Sequence, residues 1–201
     1  DRATLTLERS VADNPREALK QGEMLREQAL KSGDRKLELR ALRLIVMGCI
    51  QTEDMTRLAG VHEAATKLAE SLGDVQAKVE FLSARGGLLA GEVKYKESQK
   101  AYDEAIALAE KSGLRRAVGT VLLAKAYVSG LQGRDTESLE LYFRAHQIFE
   151  DLGDAATARS VLGSIGAAYA HDGASNEMLA KALTFHERSI APDAEKTARH
   201  E

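Results

Sequence analysis

The 201-residue chain predicts an all-α solenoid built from antiparallel helix pairs, and three observations carry that reading. Gly33, Gly73, Gly113 and Gly153 stand 40 residues apart, each closing a similar phrase: Leu-Lys-Ser-Gly-Asp, Glu-Ser-Leu-Gly-Asp, Glu-Lys-Ser-Gly-Leu and Glu-Asp-Leu-Gly-Asp. Leu42, Leu82, Leu122 and Leu162 keep the same step inside the segments between them. Only two prolines occur, and no β-branched stretch alternates as a strand would. Self-similarity at a fixed step means one supersecondary unit stacked on copies of itself, each burying its apolar face against its neighbours.

The elements follow in order. Pro15 to Lys31 reads as a leading second-type helix, with Asn14 as its cap and Pro15 at the first helical position, where a missing N–H costs nothing. First helices are predicted at about 36–51, 76–91, 115–131 and 155–171, and second helices at about 55–72, 95–112, 136–152 and 177–191. Each Gly-Asp pair has a local mechanism. Glycine takes the left-handed conformation that ends one helix, and aspartate caps the N–H groups that begin the next. Val46, Gly86, Ala126 and Gly166 form a column of small residues that lets the paired helix come close.

These boundaries give one repeat domain over 1–201: a partial repeat at 1–33, full repeats at 34–73, 74–113 and 114–153, and a degenerate repeat at 154–201. In the last, His171-Asp-Gly-Ala-Ser-Asn176 lengthens the turn, so that Ala194-Glu-Lys-Thr-Ala198 echoes Ala109-Glu-Lys-Ser-Gly113 about five residues late. Either this unit is a cap, or the break marks a site or a junction. Starting at Asp1 and stopping in a charged segment, the chain reads as a piece of something longer.

Composition limits the function classes. Hydrophobic residues at 44% supply a core, while aromatics at 4% leave the packing to alanine and leucine. A net charge of −3 disfavours nucleic acid as a partner. The single cysteine, Cys49, forms no internal disulfide and leaves the compartment open, cytoplasmic or periplasmic. No apolar run approaches the ~18 residues of a membrane span.

The columns resemble tetratricopeptide repeats, whose usual unit is about 34 residues with longer variants. Leu162-Gly-Ser-Ile-Gly-Ala-Ala-Tyr169, followed by Gly173, matches the family's first-helix spacing. Ser98, Tyr102 and Ala105, then Ser138, Tyr142 and Ala145, match its second helix, and Ala182, Phe185 and Ser189 do so more loosely. The resemblance implies a right-handed superhelix. The 40-residue variant, with Asn-Pro-Arg-Glu-Ala-Leu near its start, is similar to repeats in input regions of bacterial signalling proteins attached to diguanylate cyclase or histidine kinase domains.

In that family first helices line the inner wall. Carried onto this chain, the wall comprises Arg40, Arg43, Met47 and Gln51, then Glu80, Ser83, Gly87 and Gly91. It continues with Thr120, Leu123, Tyr127 and Leu131, then Ser160, Gly163, Ala167 and His171. It is basic at one end and apolar in the third unit, a groove for a peptide whose acidic end meets Arg40 and Arg43 and whose apolar side chains meet Leu123 and Tyr127. The family's carboxylate clamp needs asparagines on this wall, but Asn14 and Asn176 lie off it. Arg85 and Lys125 occupy columns held by Ile45 and Ile165, so each must reach water or find an anion.

No catalytic set, cofactor or metal site emerges. His62-Glu63 and His186-Glu187 lack the second histidine of a zinc protease motif, with Thr66 and Ile190 in its place, and both histidines fall in the column of Tyr102 and Tyr142. Cys49 aligns with Leu89, Ser129 and Tyr169, a buried thiol. Arg85-Gly86-Gly87 lacks the strand-then-helix setting of a phosphate loop. The sequence therefore predicts a non-enzymatic module binding a protein or peptide segment in a signalling protein. The alternatives are a dimerisation scaffold, joined through the open ends of the solenoid, and a small-ligand sensor using the space beside Gly87, Gly91, Gly163 and Ala167.

Overall fold

The computed structural model describes residues 14–170 and 175–190, in which nine helices and no strand occur. They are α1 (Pro15–Ser32), α2 (Arg35–Gln51), α3 (Met55–Leu72), α4 (Val75–Gly91), α5 (Tyr95–Lys111), α6 (Arg115–Leu131), α7 (Asp135–Asp151), α8 (Ala155–Tyr169) and α9 (Asn176–Ile190). Each predicted helix is present with ends within two residues, and the all-α solenoid order holds, since helices pack on their neighbours in sequence.

The chain divides into two compact units, Asp1–Ala117 and Val118–Glu201, the division falling inside α6. In the first, α1 packs on α2, α2 on α3, α3 on α4 and α4 on α5, and α2 also touches α4. Its core joins Leu42, Ile45 and Val46 of α2 to Leu58, Ala65 and Leu68 of α3 and to Ala77 and Phe81 of α4. In the second, α7 packs on α8 and α8 on α9, over buried Val121 and Leu122, Leu141 and Phe149, and Val161 and Ile165.

The predicted small-residue column sets the closest approaches within pairs. A methyl group built on Gly86 would lie 2.7 Å from the Tyr102 ring, and the Ser98 hydroxyl donates to the Gly86 carbonyl at 2.7 Å. One repeat later, Ser138 donates to the Ala126 carbonyl at 2.8 Å. Both serines are buried, so these bonds satisfy hydroxyls that would otherwise be costly to desolvate. In the last pair the slip is visible: Ala182, and not Met178 one step after Ser138, is the buried residue facing Gly166.

The turns run in two columns. The four marker glycines are left-handed, with φ of 71°, 65°, 67° and 68° at Gly33, Gly73, Gly113 and Gly153. The N–H after each of Gly73, Gly113 and Gly153 returns to the carbonyl of Ala69, Ala109 or Phe149 at 2.9–3.0 Å. Asp34, Asp54, Asp74 and Asp154 then accept the N–H three residues on, as N-caps. Halfway between the glycines lies a second left-handed column the sequence did not advertise: Glu53 (φ 56°), Val93 (φ 62°) and Gly133 (φ 68°).

A β-branched residue in the left-handed region is strained by roughly 1–2 kcal/mol. Val93 is also 68% exposed and so gains little from burial. Val93→Gly is therefore expected to stabilise the first unit by about 1 kcal/mol, raising the melting temperature by about 2–4 °C. A melting temperature that stays level or falls in calorimetry contradicts the assigned strain.

Candidate binding face on the first helices

In the first unit the predicted wall residues of α2 and α4 have unequal fates. Arg40, Gln51 and Gly91 are exposed. Met47 is half-buried, packed against Ala18 and Leu44. Ser83 and Gly87 are half-buried, and a side chain added at Gly87 would meet the Tyr102 hydroxyl at 3.7 Å, so this position borders the helix pair. Arg85 lies exposed, its charge in water, although Ile45 and Ile165 fill the same column in other repeats.

Arg43 and Glu80 are brought together. The Arg43 guanidinium donates from Nε to Glu80 Oε2 at 2.8 Å and from a terminal nitrogen to Oε1 at 2.6 Å, and Gln76 adds an N–H to the same carboxylate at 3.2 Å. The side chains are only 14% and 20% exposed, so this two-pronged bond is sheltered from water. It also ties α2 to α4. The wall's basic end thus includes a guanidinium already engaged by a carboxylate of the same wall, leaving Arg40 as its exposed cation. The signal was present in the sequence as opposite charges one helix pair apart on faces assigned to one wall.

In the second unit α6 presents Thr120 exposed, Leu123 half-buried, and Tyr127 and Leu131 at 60% and 57% exposure. The spacing 120, 127, 131 keeps Thr120, Tyr127 and Leu131 on one helical face, while Val121, Leu122 and Val128 are buried on the other. On α8, Ser160 and Ala167 are exposed, and Gly163 is turned toward Ser189, 3.6 Å from an added side chain. His171 lies outside the described residues. Lys125 is half-buried.

An aromatic cluster was not anticipated. Phe185 stacks on Tyr169 with ring centroids 5.8 Å apart and meets Phe143 edge-on at 5.7 Å, and the Arg188 guanidinium sits 5.7 Å from its ring. Beside it, Tyr169, Glu177, Ala180, Lys181, Thr184 and Phe185 line an open cleft of about 420 Å³. Three of the nine phenylalanine and tyrosine residues in the chain gather here, a grouping hidden by the slipped register of α9.

The groups with chemical potential are held by packing. Cys49 is fully buried, and burial pushes its thiol up to about 11. Desolvation likewise raises the Tyr102 phenol to about 12. His62 Nε2 lies 2.7 Å from the Phe81 carbonyl, fixing α3 to α4, whereas His186 is exposed. Among the described residues no three histidine, cysteine or carboxylate side chains cluster to hold a metal, and no helix is long and apolar enough to cross a membrane.

No protein-family model matches the chain, and no curated protein matches it as a relative. Among solved structures it is similar to the crystal structure of BtubC (BKLC) from P. vanneervenii. The TM-score is 0.61 at 17% identity, over 91% of this chain and 72% of that one. At that identity the likeness concerns the helical fold alone.

Two outcomes follow. Removing one partner of a sheltered ion pair strands the other, so Arg43→Ala or Glu80→Ala should each cost about 1–2 kcal/mol. The double variant should cost less than the sum, and additive losses in a double-mutant cycle by denaturant unfolding contradict a working pair. For Cys49, unfolding returns the thiol from about 11 toward its ordinary 9.0. Between those values the unfolded chain has shed a proton that the folded chain keeps, so stability should fall as pH rises through that window and be indifferent to this group below it. Replacing Cys49 with alanine should flatten that slope in unfolding curves.

Proposed function

We propose that the chain is a non-enzymatic interaction module of the tetratricopeptide type. It takes a peptide or protein segment along its first helices and serves as the sensory or regulatory region of a bacterial signalling protein. The single observation that carries this reading is the pair Tyr127 and Leu131, 60% and 57% exposed on one face of α6. Large aromatic and aliphatic side chains left in water on a helix whose other face is fully packed are the anchors that interaction surfaces use. Extended peptides or helices seat alternate or i, i+4 side chains on such a stripe.

The tetratricopeptide assignment is supported by the 40-residue step and by its physical content: a serine of each of two second helices bonded to the small residue of its first helix. The signalling context rests on the resemblance of the repeats. Arg40 gives the partner's acidic side chains one cation to meet, since Arg43 is engaged by Glu80.

Peptides selected from a phage-displayed random library on the immobilised chain should be rich in apolar and acidic residues. Leu131→Asp or Tyr127→Ala should weaken them at least tenfold, equivalent to about 1.4 kcal/mol. Arg40→Glu should weaken only the acidic ones. If the selected peptides bind the Tyr127→Ala, Leu131→Asp double variant as well as the parent, with helical content unchanged, the first-helix face is not the binding site.

A further inference from the structure

We propose that the Tyr102 hydroxyl, which opens onto α4 beside Gly87, is a ligand-binding donor for a main-chain carbonyl of an extended peptide. This role rests on the reading of the first helices as a peptide-binding wall, and adds to that wall a group from a second helix. Tyr102 is 2% exposed, its ring filling the space over Gly86. The hydroxyl reaches past the ring to the next residue of α4, where a methyl group added at Gly87 would lie 3.7 Å from it. Among the described residues that hydroxyl has no hydrogen-bond partner, whereas the Ser98 hydroxyl of the same helix pair is satisfied by the Gly86 carbonyl. A buried donor without an acceptor is costly unless water or a ligand supplies one.

Gly87 has no packing reason to be glycine. At Gly86 an added methyl group would collide with the Tyr102 ring at 2.7 Å, whereas at Gly87 the nearest atom outside α4 is the hydroxyl, at an ordinary contact distance. Gly91, one turn on, meets nothing within 4 Å, and neither residue has the left-handed backbone that turns require. Glycine inside a helix is entropically unfavourable relative to alanine, so packing and backbone would both accept a larger residue here. What glycine does at 87 is leave the phenol uncovered. In register the same position is Met47 on α2, Tyr127 on α6 and Ala167 on α8. Burial, and then the neighbouring Tyr127 phenol, raise the Tyr142 phenol. Tyr142, the other tyrosine of this column, thus has an aromatic side chain beside it where Tyr102 has a glycine.

The ligand's chemistry follows from what surrounds the hydroxyl. Ser83, half-buried one turn before Gly87 on the same stripe, carries a second hydroxyl with no partner among the described residues. The nearby charges are committed or turned away. Glu80 is held by Arg43, Lys94 is paired with Glu92, and Arg85, two residues from Gly87, lies about 200° around the helix. Burial pushes the Tyr102 phenol up to about 12, so it stays a neutral donor at ordinary pH. Neutral donors without a cation beside them suit an amide carbonyl better than a carboxylate. A helical partner has its carbonyls bonded internally. An extended segment turns a free carbonyl to the same side at every second residue, and the missing side chains at Gly87 and Gly91 let its backbone come close.

The probes are the peptides selected by phage display on the immobilised chain, synthesised with fluorescein and titrated by anisotropy. Tyr102→Phe deletes only the hydroxyl, and Gly87→Ala covers it. Each should weaken the peptides about three- to tenfold. Tyr102→Phe should leave the melting temperature level and Gly87→Ala should raise it by about 2–4 °C, a combination that damage to packing does not give. Replacing the peptide's amides by esters one at a time weakens one carbonyl acceptor at each step. At one position the resulting loss should be seen with the parent chain and vanish with Tyr102→Phe. Equal binding by both variants overturns the assignment and leaves the hydroxyl to water. A lower melting temperature in Tyr102→Phe overturns it too, because the hydroxyl would then have a partner inside the fold. So does an ester scan with no position coupled to Tyr102. The anchors on α6 are tested apart from this subsite by Tyr127→Ala with Leu131→Asp. Peptides weakened there but not by Tyr102→Phe leave the wall without the subsite, and peptides showing the reverse leave the subsite without those anchors. If no peptide is selected, both fall.

Discussion

The close approach of a second helix to the small residue of its first helix, at Gly86, Ala126 and Gly166, is the constraint on which the rest depends. At Gly86 the Tyr102 ring occupies the space a methyl group would need, and the Ser98 hydroxyl reaches the Gly86 carbonyl. A carbonyl inside a helix already accepts from the N–H four residues on, so a second donor reaches it only where the helices nearly touch. Ser138 and Ala126 repeat the arrangement. With so few aromatic residues and no tryptophan, tight backbone approach supplies the dispersion contacts that bulky side chains supply elsewhere. The repeat length follows from it, because two helices of matched length and two tight turns return the chain to the same register.

Most of this was legible because turns and close contacts restrict residue type. A left-handed residue at a helix end favours glycine, and a crossing point favours glycine or alanine, so both leave columns that a fixed step exposes. The second turn column stayed hidden because its geometry is met by Glu53 and Val93, residues that pay for the conformation in strain and leave no sequence trace. The Schellman bonds there, from Asp54 to Cys49 and from Lys94 to Leu89, are backbone bonds and equally silent. Helix ends were read within two residues, but the aromatic cluster of Phe143, Tyr169 and Phe185 was not; the turn at His171–Asn176 lies largely outside the described residues.

The wall was less legible than the frame, for a physical reason. Packing positions are constrained by shape, whereas wall positions are constrained only by what they meet, and sequence spacing gives a face without giving a partner. The tetratricopeptide resemblance placed Arg43 and Glu80 on one wall, but pairing depends on the sideways distance between α2 and α4, which the period does not encode. The same holds for Gly87 and Gly163, whose free directions turn toward Tyr102 and Ser189. Where periodicity does suffice is Tyr127 and Leu131, because exposure on a single helix needs no knowledge of its neighbour.

The Arg43–Glu80 pair also bears on how such a wall can change its partner. Burying two charges recovers little net stability over an apolar pair of the same volume, so stability alone does not account for an ion pair at this place. What the pair does supply is a fixed orientation of α2 against α4 through two parallel hydrogen bonds, with Gln76 holding the carboxylate from the same helix. The adjoining positions Arg40 and Gln51 carry no packing duty and are exposed. Orientation is therefore held by a pair at the edge of the wall and spacing by the small-residue column behind it. The exposed side chains between them are free to be exchanged without disturbing either, so the surface chemistry of this face is separable from the frame that carries it.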